Sequence, residues 1–428
     1  MREMKDSGIE WIGQIPEGWE LRRAKTLFTQ RNSKGNGIEV LLSPTQKYGV
    51  VPQSQLEGVV QVKEDTDLQM FKTVHKGDFV ISLRSFQGGF EYSLYEGVCS
   101  PAYQVFYPTS PICDTYYRYL FKSQSFISKM NNLTVGIREG KNIQYVDFAN
   151  SQIPVPPLAE QERIAAFLDA ECAEIDTVLE KTRASIEEYK KLKQAVITQA
   201  VTKGIRGDRP MKDSGIEWIG EIPAEWSVVK GRRLILATQN GLTRRELEKS
   251  EGYIVLKLKN LDADGNIDYS EVNRVALTDE EKSKYQLCDG DFLFVRVNGS
   301  RNLVGKCAIY HDVGEIVAYN DHIIRVKLND LCLKEYFHYY LLSIAGKREI
   351  ELHTSTAAGQ FTISGDGLRE LRVVLPGIVE QAETVAYLDK KSAGIDAVIA
   401  KKQQYLTEIE NYKKSLIYEY VTGKKEVV

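Results

Sequence analysis

The 428-residue chain has no apolar run near the roughly 18 residues that a membrane span requires, and its opening MREMKDSGIEW holds no apolar stretch of the secretory kind. A cytoplasmic protein is the expectation. The six cysteines (Cys99, Cys113, Cys172, Cys288, Cys307, Cys332) form no C-x-x-C pair and have no histidine beside them at zinc-ligand spacing. They read as small buried hydrophobes in a reducing compartment. The five histidines (His75, His311, His322, His338, His353) likewise make no metal motif. A Walker lysine, a Gly-rich cofactor loop and an Asn/Asp-Pro-Pro-aromatic methylation motif are all missing, since the one Pro-Pro is Pro156-Pro157 before Leu158. Glu139-Gly140-Lys141 with Asp114 upstream imitates a nuclease acid-x-lysine pair, but such a tripeptide is common by chance. No catalytic residue, metal or cofactor is therefore expected on the chain itself. A basic excess is lacking too, with a net charge of −3. Residues 20–152 nevertheless hold slightly more Lys and Arg than Asp and Glu, and residues 153–204 slightly fewer. That balance suits a nucleic-acid binder that leaves part of the phosphate contact to partners.

What the chain does have is a duplication. MKDSGIEWIGQIPEGW at residues 4–19 returns as MKDSGIEWIGEIPAEW at residues 211–226, with thirteen of sixteen positions identical. All four tryptophans (Trp11, Trp19, Trp218, Trp226) lie in these copies, around Ile15-Pro16 and Ile222-Pro223. Large rings at such spacing predict a plug pinned onto a neighbouring element. A second repeat, from Pro154 onward, carries an offset of 220, pairing Glu160-Gln161 with Glu380-Gln381, Leu168-Asp169 with Leu388-Asp389 and Val201-Thr202 with Val421-Thr422. The first offset is 207, so the intervening stretch is 13 residues longer in the second half. That stretch also differs in sequence, apart from a shared Gly77-Asp78-Phe79 and Gly290-Asp291-Phe292.

The 220-offset repeats carry a heptad seam. It runs through Leu168, Cys172, Ile175, Leu179, Thr182, Ile186, Tyr189, Lys193, Val196 and Ala200, and through Leu388, Ser392, Ile395, Ile399, Lys402, Leu406, Ile409, Lys413, Leu416 and Tyr420. Polar breaks match, Thr182 with Lys402 and Lys193 with Lys413, where they can set register. Pro154, Pro156 and Pro157 bar helix upstream, Glu160 and Glu162 favour the first turn, and Gly204 and Gly423 end the helices. Each helix is expected to span about 40 residues, or roughly 60 Å. Neither is stable alone in water, so the two copies are expected to pair. Pseudo-two-fold symmetry makes that pairing antiparallel, with the variable lobes at opposite ends. A coiled coil between two chains is the other use of such a seam; both strands already lie in one polypeptide.

Each lobe reads as α/β with a mixed sheet. Strands are predicted at Val40–Leu42, Phe79–Leu83 and Tyr103–Tyr107, and at Tyr253–Leu258, Phe292–Val297, Cys307–Tyr310 and His322–Leu328. One helix per lobe is predicted, over Thr115–Met130 and Leu333–Ile350. Polar, Gly-rich turns follow the Gly-Asp-Phe strands and bring Arg84, Ser85 and Gln87 in one lobe and Arg296, Asn298, Ser300, Arg301 and Asn302 in the other. Arg, Asn and Gln match guanine and adenine edges, and glycines admit close backbone approach. A second such segment brings Arg138, Lys141 and Asn142, or Thr356 and Gln360. Gln46, Lys47 and Tyr48, and Lys257, Lys259 and Asn260, are further candidates for DNA contact, although lysines there are commonly solvated surface.

Layout and motifs together resemble the specificity subunit of type I restriction-modification systems over essentially the whole chain. The carrying residues are the two MKDSGIEWIG copies, Pro-Pro-Leu-Ala-Glu-Gln-Glu-Arg-Ile-Ala with its counterpart Val379-Glu380-Gln381, and the paired Gly-Asp-Phe strands. The resemblance implies α/β target-recognition domains, two per chain, separated by a long antiparallel two-helix coiled coil. It divides the chain into an anchor (1–19), a first recognition domain (20–152), a spacer helix (153–204), a linker with the second anchor (205–226), a second recognition domain (227–372) and a second spacer helix (373–428). It also implies a prokaryotic, non-catalytic subunit that reads a bipartite, asymmetric double-stranded DNA target. Two methylation subunits carrying S-adenosylmethionine, and restriction/translocation subunits, are the implied partners. A departure lies at Leu375-Pro376-Gly377-Ile378, which replaces the double proline and leaves the start of the second helix open. A coiled-coil scaffold or adaptor without sequence-specific DNA binding is the rival reading.

Overall fold

The computed structural model describes residues 2–35, 40–56, 68–82, 89–133, 143–243, 252–262, 265–357 and 359–427. Two compact units divide the chain, Met1–Arg183 with Gln404–Val428, and Ala184–Gln403. Each unit thus joins one variable lobe to the beginning of one long helix and the end of the other.

In the first unit, Met4–Asp6 pairs with Gln14–Pro16, and Gln152–Val155 pairs with Glu20–Arg23 to lead into the first long helix. The core sheet is antiparallel, in the order Phe28–Arg31, Gln104–Pro108, Phe79–Ile81, Phe90–Tyr92. Alternating strand residues turn Phe28, Phe79, Phe90 and Phe106 to one face, where they meet Phe121, Phe126 and Phe148 from helices at ring-centre separations of 4.7–6.3 Å. A hairpin of Leu42–Thr45 and Gly49–Pro52 stands beside this sheet.

The second unit repeats the plan. Its sheet runs Ile235–Asn240, Ile323–Leu328, Phe292–Val295, Cys307–Ile309, all antiparallel. Parallel pairing appears in the additional sheet of Asn273–Val275, Tyr253–Leu256 and Val317–Tyr319, where the last two strands run together.

Both lobes break the single helix expected from the sequence into two, Asp114–Lys122 with Gln124–Leu133 and Lys334–Leu342 with Ile344–Leu352. Ser123 and Ser343 adopt extended backbone at each break, and the Ser343 hydroxyl accepts from the Gly346 amide as a new N-cap. The first strand also begins later, at Leu42. Cysteine burial holds for Cys99, Cys172, Cys307 and Cys332, whereas Cys113 is half-buried and Cys288 is exposed, a correction to the sequence reading. Cys288 sits in the turn before Gly290, where its amide bonds Asp291 and its thiol is left at the surface.

The long helices span Leu158–Lys203 and Ile378–Val421. At 46 and 44 residues they measure about 69 and 66 Å, longer than the sequence suggested. Gly204 (φ 81°) and Gly423 (φ 70°) turn the chain out of each helix through the left-handed region. The start of the second helix, left open above, is built like the first. Buried Gln161 accepts from the Cys113 amide (2.9 Å) and donates to the Pro156 carbonyl (2.7 Å). Gln381 accepts from the Leu333 amide (2.8 Å) and donates to the Pro376 carbonyl (3.0 Å). Each glutamine so ties its long helix to the residue that precedes a lobe helix.

Within each unit the helical stretches run antiparallel. In the first, Asp176 meets Lys413 at 2.6 Å, Arg183 meets Glu410 at 2.5 Å, and Phe167 packs on Tyr420 at 4.5 Å. In the second, Lys193 meets Asp396 at 2.8 Å and Lys402 lies 5.7 Å from the Tyr189 ring. The two seam lysines thus find equivalent aspartates. These half-exposed pairs contribute only ~0–1 kcal/mol each and act on register more than on stability. Every seam position named above is buried or half-buried. Ile197 is more deeply buried than the seam position Val196, because a straight helix drifts against a strict seven-residue repeat.

Candidate nucleic-acid interface

The anchors hold the frame on which the polar loops sit. Trp19 and Trp226 are buried, and their indole N–H groups donate to Glu160 (3.0 Å) and Glu380 (2.7 Å) in the first turns of the long helices. Arg2 and Arg209 pair with the same two carboxylates and stack over the same two rings. At the opposite helix ends, the buried Tyr116 hydroxyl donates to the Val421 carbonyl (2.7 Å) and that of Tyr336 to the Val201 carbonyl (3.2 Å). Tyr119 and Tyr339 reach Asp169 and Asp389 at 2.6 and 2.7 Å. These tyrosine pairs share the 220-residue offset of the helices, a signal that extends the repeat upstream to residue 116 and that the sequence reading did not use.

The Gly-Asp-Phe motif is also structural. Asp78 accepts from the His75 amide (2.8 Å) and pairs with Arg31 through two bonds of 2.7 and 3.0 Å. Asp291 accepts from the Cys288 amide (2.9 Å) and from Arg325, which comes from a different strand than Arg31 does. A buried carboxylate with such partners locks the turn that launches the loop-bearing strand.

In the second unit the structure brings both polar segments into one ribbon. Val297–Asn298 pairs with Gln360–Thr362, which pairs in turn with Ser355–Ala357. Thr356 and Gln360 are exposed on it and Ser300 and Arg301 in the turn after its first strand, while Arg296 and Asn298 are half-buried. Asn298 accepts from the Ser300 amide (3.0 Å), Arg296 donates to the Asp321 carbonyl (3.3 Å) and Arg301 to the Glu351 carbonyl (3.2 Å). The Asn302 side chain lies outside the described residues.

Elsewhere the candidates divide. Asn260 is buried and corrects the sequence reading. Its amide accepts from the Lys257 backbone (2.9 Å) and donates to the Asp268 (2.9 Å) and Glu271 (3.1 Å) carbonyls, so no edge remains for a base. Lys259 pairs at the surface with Glu271 at 3.0 Å, and Lys257 is half-buried. In the first unit, Gln46, Lys47 and Tyr48 form the exposed turn of the Leu42–Pro52 hairpin, with the Lys47 ammonium 4.8 Å from the Tyr48 ring. Tyr48 is 60% exposed, a stacking surface at the hairpin tip. Arg84, Ser85, Gln87, Arg138, Lys141 and Asn142 lie outside the described residues, as do Glu139 and Gly140. Asp114, the acid of that imitation nuclease pair, accepts from the Tyr92 hydroxyl at 2.6 Å.

Beneath the hairpin lies a pair that the sequence did not single out. Glu91, on the inner sheet, is 1% exposed and bonds the Lys122 ammonium at 2.5 Å. Burial pushes its carboxyl up to about 7, with the lysine pulling the other way. An unfolded chain releases this proton near 4.5 while the folded chain keeps it, so stability falls as pH rises from about 4.5 through 7. Melting temperatures measured across pH 4–8 are expected to lose this component of their decline in Glu91→Gln; an unchanged pH dependence contradicts the assignment.

Comparison with known proteins adds to this geometry. The family described as "Type I restriction modification DNA specificity domain" matches residues 16–188 and 246–410. The EcoKI specificity subunit of Escherichia coli K12, a type I restriction enzyme component, is 25% identical over 96% of this chain and 90% of its own length. The StySPI specificity subunit of Salmonella potsdam is 28% identical over 74% of this chain and 66% of its own. A chain from a solved structure of a type I R-M system, concerned with complex assembly and conformational transition, superposes with a TM-score of 0.70 at 16% identity, covering 96% of this chain and 99% of that one. That last likeness is one of fold. Among the described residues no helix is long and apolar enough to cross a membrane.

Proposed function

We propose, on the premise that this chain belongs to the type I restriction-modification DNA specificity family, that it reads a bipartite DNA target, one half by each lobe. The observation that carries the proposal is the ribbon of the second unit, where two polar segments some sixty residues apart in sequence become adjacent strands that expose Thr356 on one face and Gln360 on the other, with Arg301 exposed in the turn that follows the Val297–Asn298 strand. Such a ribbon offers the Gln360 amide, and the turn beside it the Arg301 guanidinium, to base edges from a rigid base. Unlike lobes read unlike half-sites, so the target is non-palindromic. The chain itself supplies position and no chemistry: two methylation subunits bring S-adenosylmethionine and methylate adenine, and restriction/translocation subunits complete the assembly. A methylated adenine must leave the base stack, and a reader on each side holds the duplex while it does.

Selection of random genomic fragments by the chain with its methylation subunits tests this. Enrichment of a split, asymmetric motif is expected; no enrichment favours an adaptor role, and methyl transfer by the isolated chain would overturn the division of labour. Arg301→Ala is expected to relax discrimination at one base pair of one half-site by about 1–3 kcal/mol. Binding that weakens evenly on all sequences would instead make Arg301 a phosphate contact.

A further inference from the structure

We propose that Glu91 and Lys122 are positioning residues for base reading in the first lobe, holding the Gln46–Tyr48 turn through the lysine. This rests on the reading of that lobe as a DNA reader. Three observations carry it. The Lys122 ammonium sits between the Glu91 carboxylate (2.5 Å) and the Gln46 carbonyl (3.4 Å), so it bridges the sheet to the tip of the exposed hairpin. The hairpin rests on the strand that bears Glu91: Val50 bridges to Ser93, and Gly49 (φ 73°) passes so close to the Tyr92 carbonyl that an added Cβ would stand 2.7 Å from it. The turn is thereby fixed at its base by backbone and at its tip by the lysine.

The third observation is that the second lobe does without the pair. Phe79 pairs with Tyr92 where Phe292 pairs with Ile309, so Glu91 corresponds in register to Ala308. On the lobe helices, Lys122 corresponds to Leu342 by the 220-residue offset, with Ser123 and Ser343 following at the break. The fold accepts an alanine and a leucine at these places. A part-buried pair with a fully buried carboxyl is a costly substitute for apolar packing, because desolvation of Glu91 offsets the attraction, and one oxygen of Glu91 is buried with no hydrogen-bond partner. Its retention in one lobe alone fits a role in what that lobe holds, the turn with Gln46, Lys47 and Tyr48, and not in the sheet shared by both.

The test gives the first lobe the second lobe's residues, Glu91→Ala with Lys122→Leu, in the complex with methylation subunits, using a random-sequence duplex DNA library. Thermal melting is expected to be unchanged or raised. Discrimination in one half of the split motif is expected to fall about tenfold, and the other half to remain as in the unaltered complex. Lys122→Arg with Glu91 in place, which keeps charge and reach, is expected to leave discrimination in both halves as in the unaltered complex. A stable double variant whose two half-motifs both match the unaltered complex overturns the proposal. Should the double variant melt early, Lys122→Met, which removes the donor that reaches the Gln46 carbonyl, decides on the same reading: relaxed discrimination in one half supports the pair, and none overturns it. An unaltered complex that enriches no motif would instead sink the reading of the lobe as a DNA reader.

Discussion

Trp19→Ala is expected to destabilise the first unit by about 3–5 kcal/mol, the range for removing a large ring from a closed core. The loss has several sources. Trp19 is fully buried, meets Tyr116 edge-on at 6.5 Å, and gives its indole N–H to Glu160. Tyr116 in turn bonds the last turn of the second long helix at Val421. One ring therefore supports the start of one long helix and, through its neighbour, the end of the other. Trp19→Phe keeps most of the packing but leaves Glu160 to Arg2 alone, and is expected to cost about 1–2 kcal/mol. Urea unfolding followed by far-ultraviolet circular dichroism measures both. Equal, small losses for the two variants would show that the anchor is not the clamp described.

Removing one heptad from each long helix, residues 182–188 and 402–408, is expected to shorten the unread DNA spacing by about three base pairs, since seven residues rise about 10 Å. Lys193–Asp396 and Lys413–Asp176 lie outside the cut on matching sides, so the pairing within each unit survives while Arg183–Glu410 is lost. A seven-residue step also returns the seam to nearly the same face. Selection from a library of variable spacer length reads the outcome. A spacing equal to that of the unaltered complex would show that the long helices do not set the distance between the two half-sites.

How far the sequence carried depends on the range of the interaction involved. The heptad seam and its terminating glycines were legible because helical periodicity and backbone preference are local, and Leu168, Leu179, Leu388 and Leu416 are buried as the pattern requires. The helix breaks at Ser123 and Ser343 were not, because serine is compatible with a helix interior and the extended conformation is chosen by packing of the second segment. Asn260 was misread for a related reason. Its composition suits a base edge, yet the backbone amide of Lys257 and, from the loop that follows, the carbonyls of Asp268 and Glu271 capture its amide.

By itself the sequence determined that the chain is a duplicated frame with two unlike inserts, because repetition and seam periodicity survive without any knowledge of contacts. Only the tertiary structure decided that each lobe shares a unit with the start of one long helix and the end of the other. It alone joined Val297–Asn298 to Gln360–Thr362, and placed Lys122 between Glu91 and Gln46. Such pairings link residues dozens of positions apart, and whether a polar side chain faces water, a backbone carbonyl or a buried carboxylate is set by neighbours that no local pattern names.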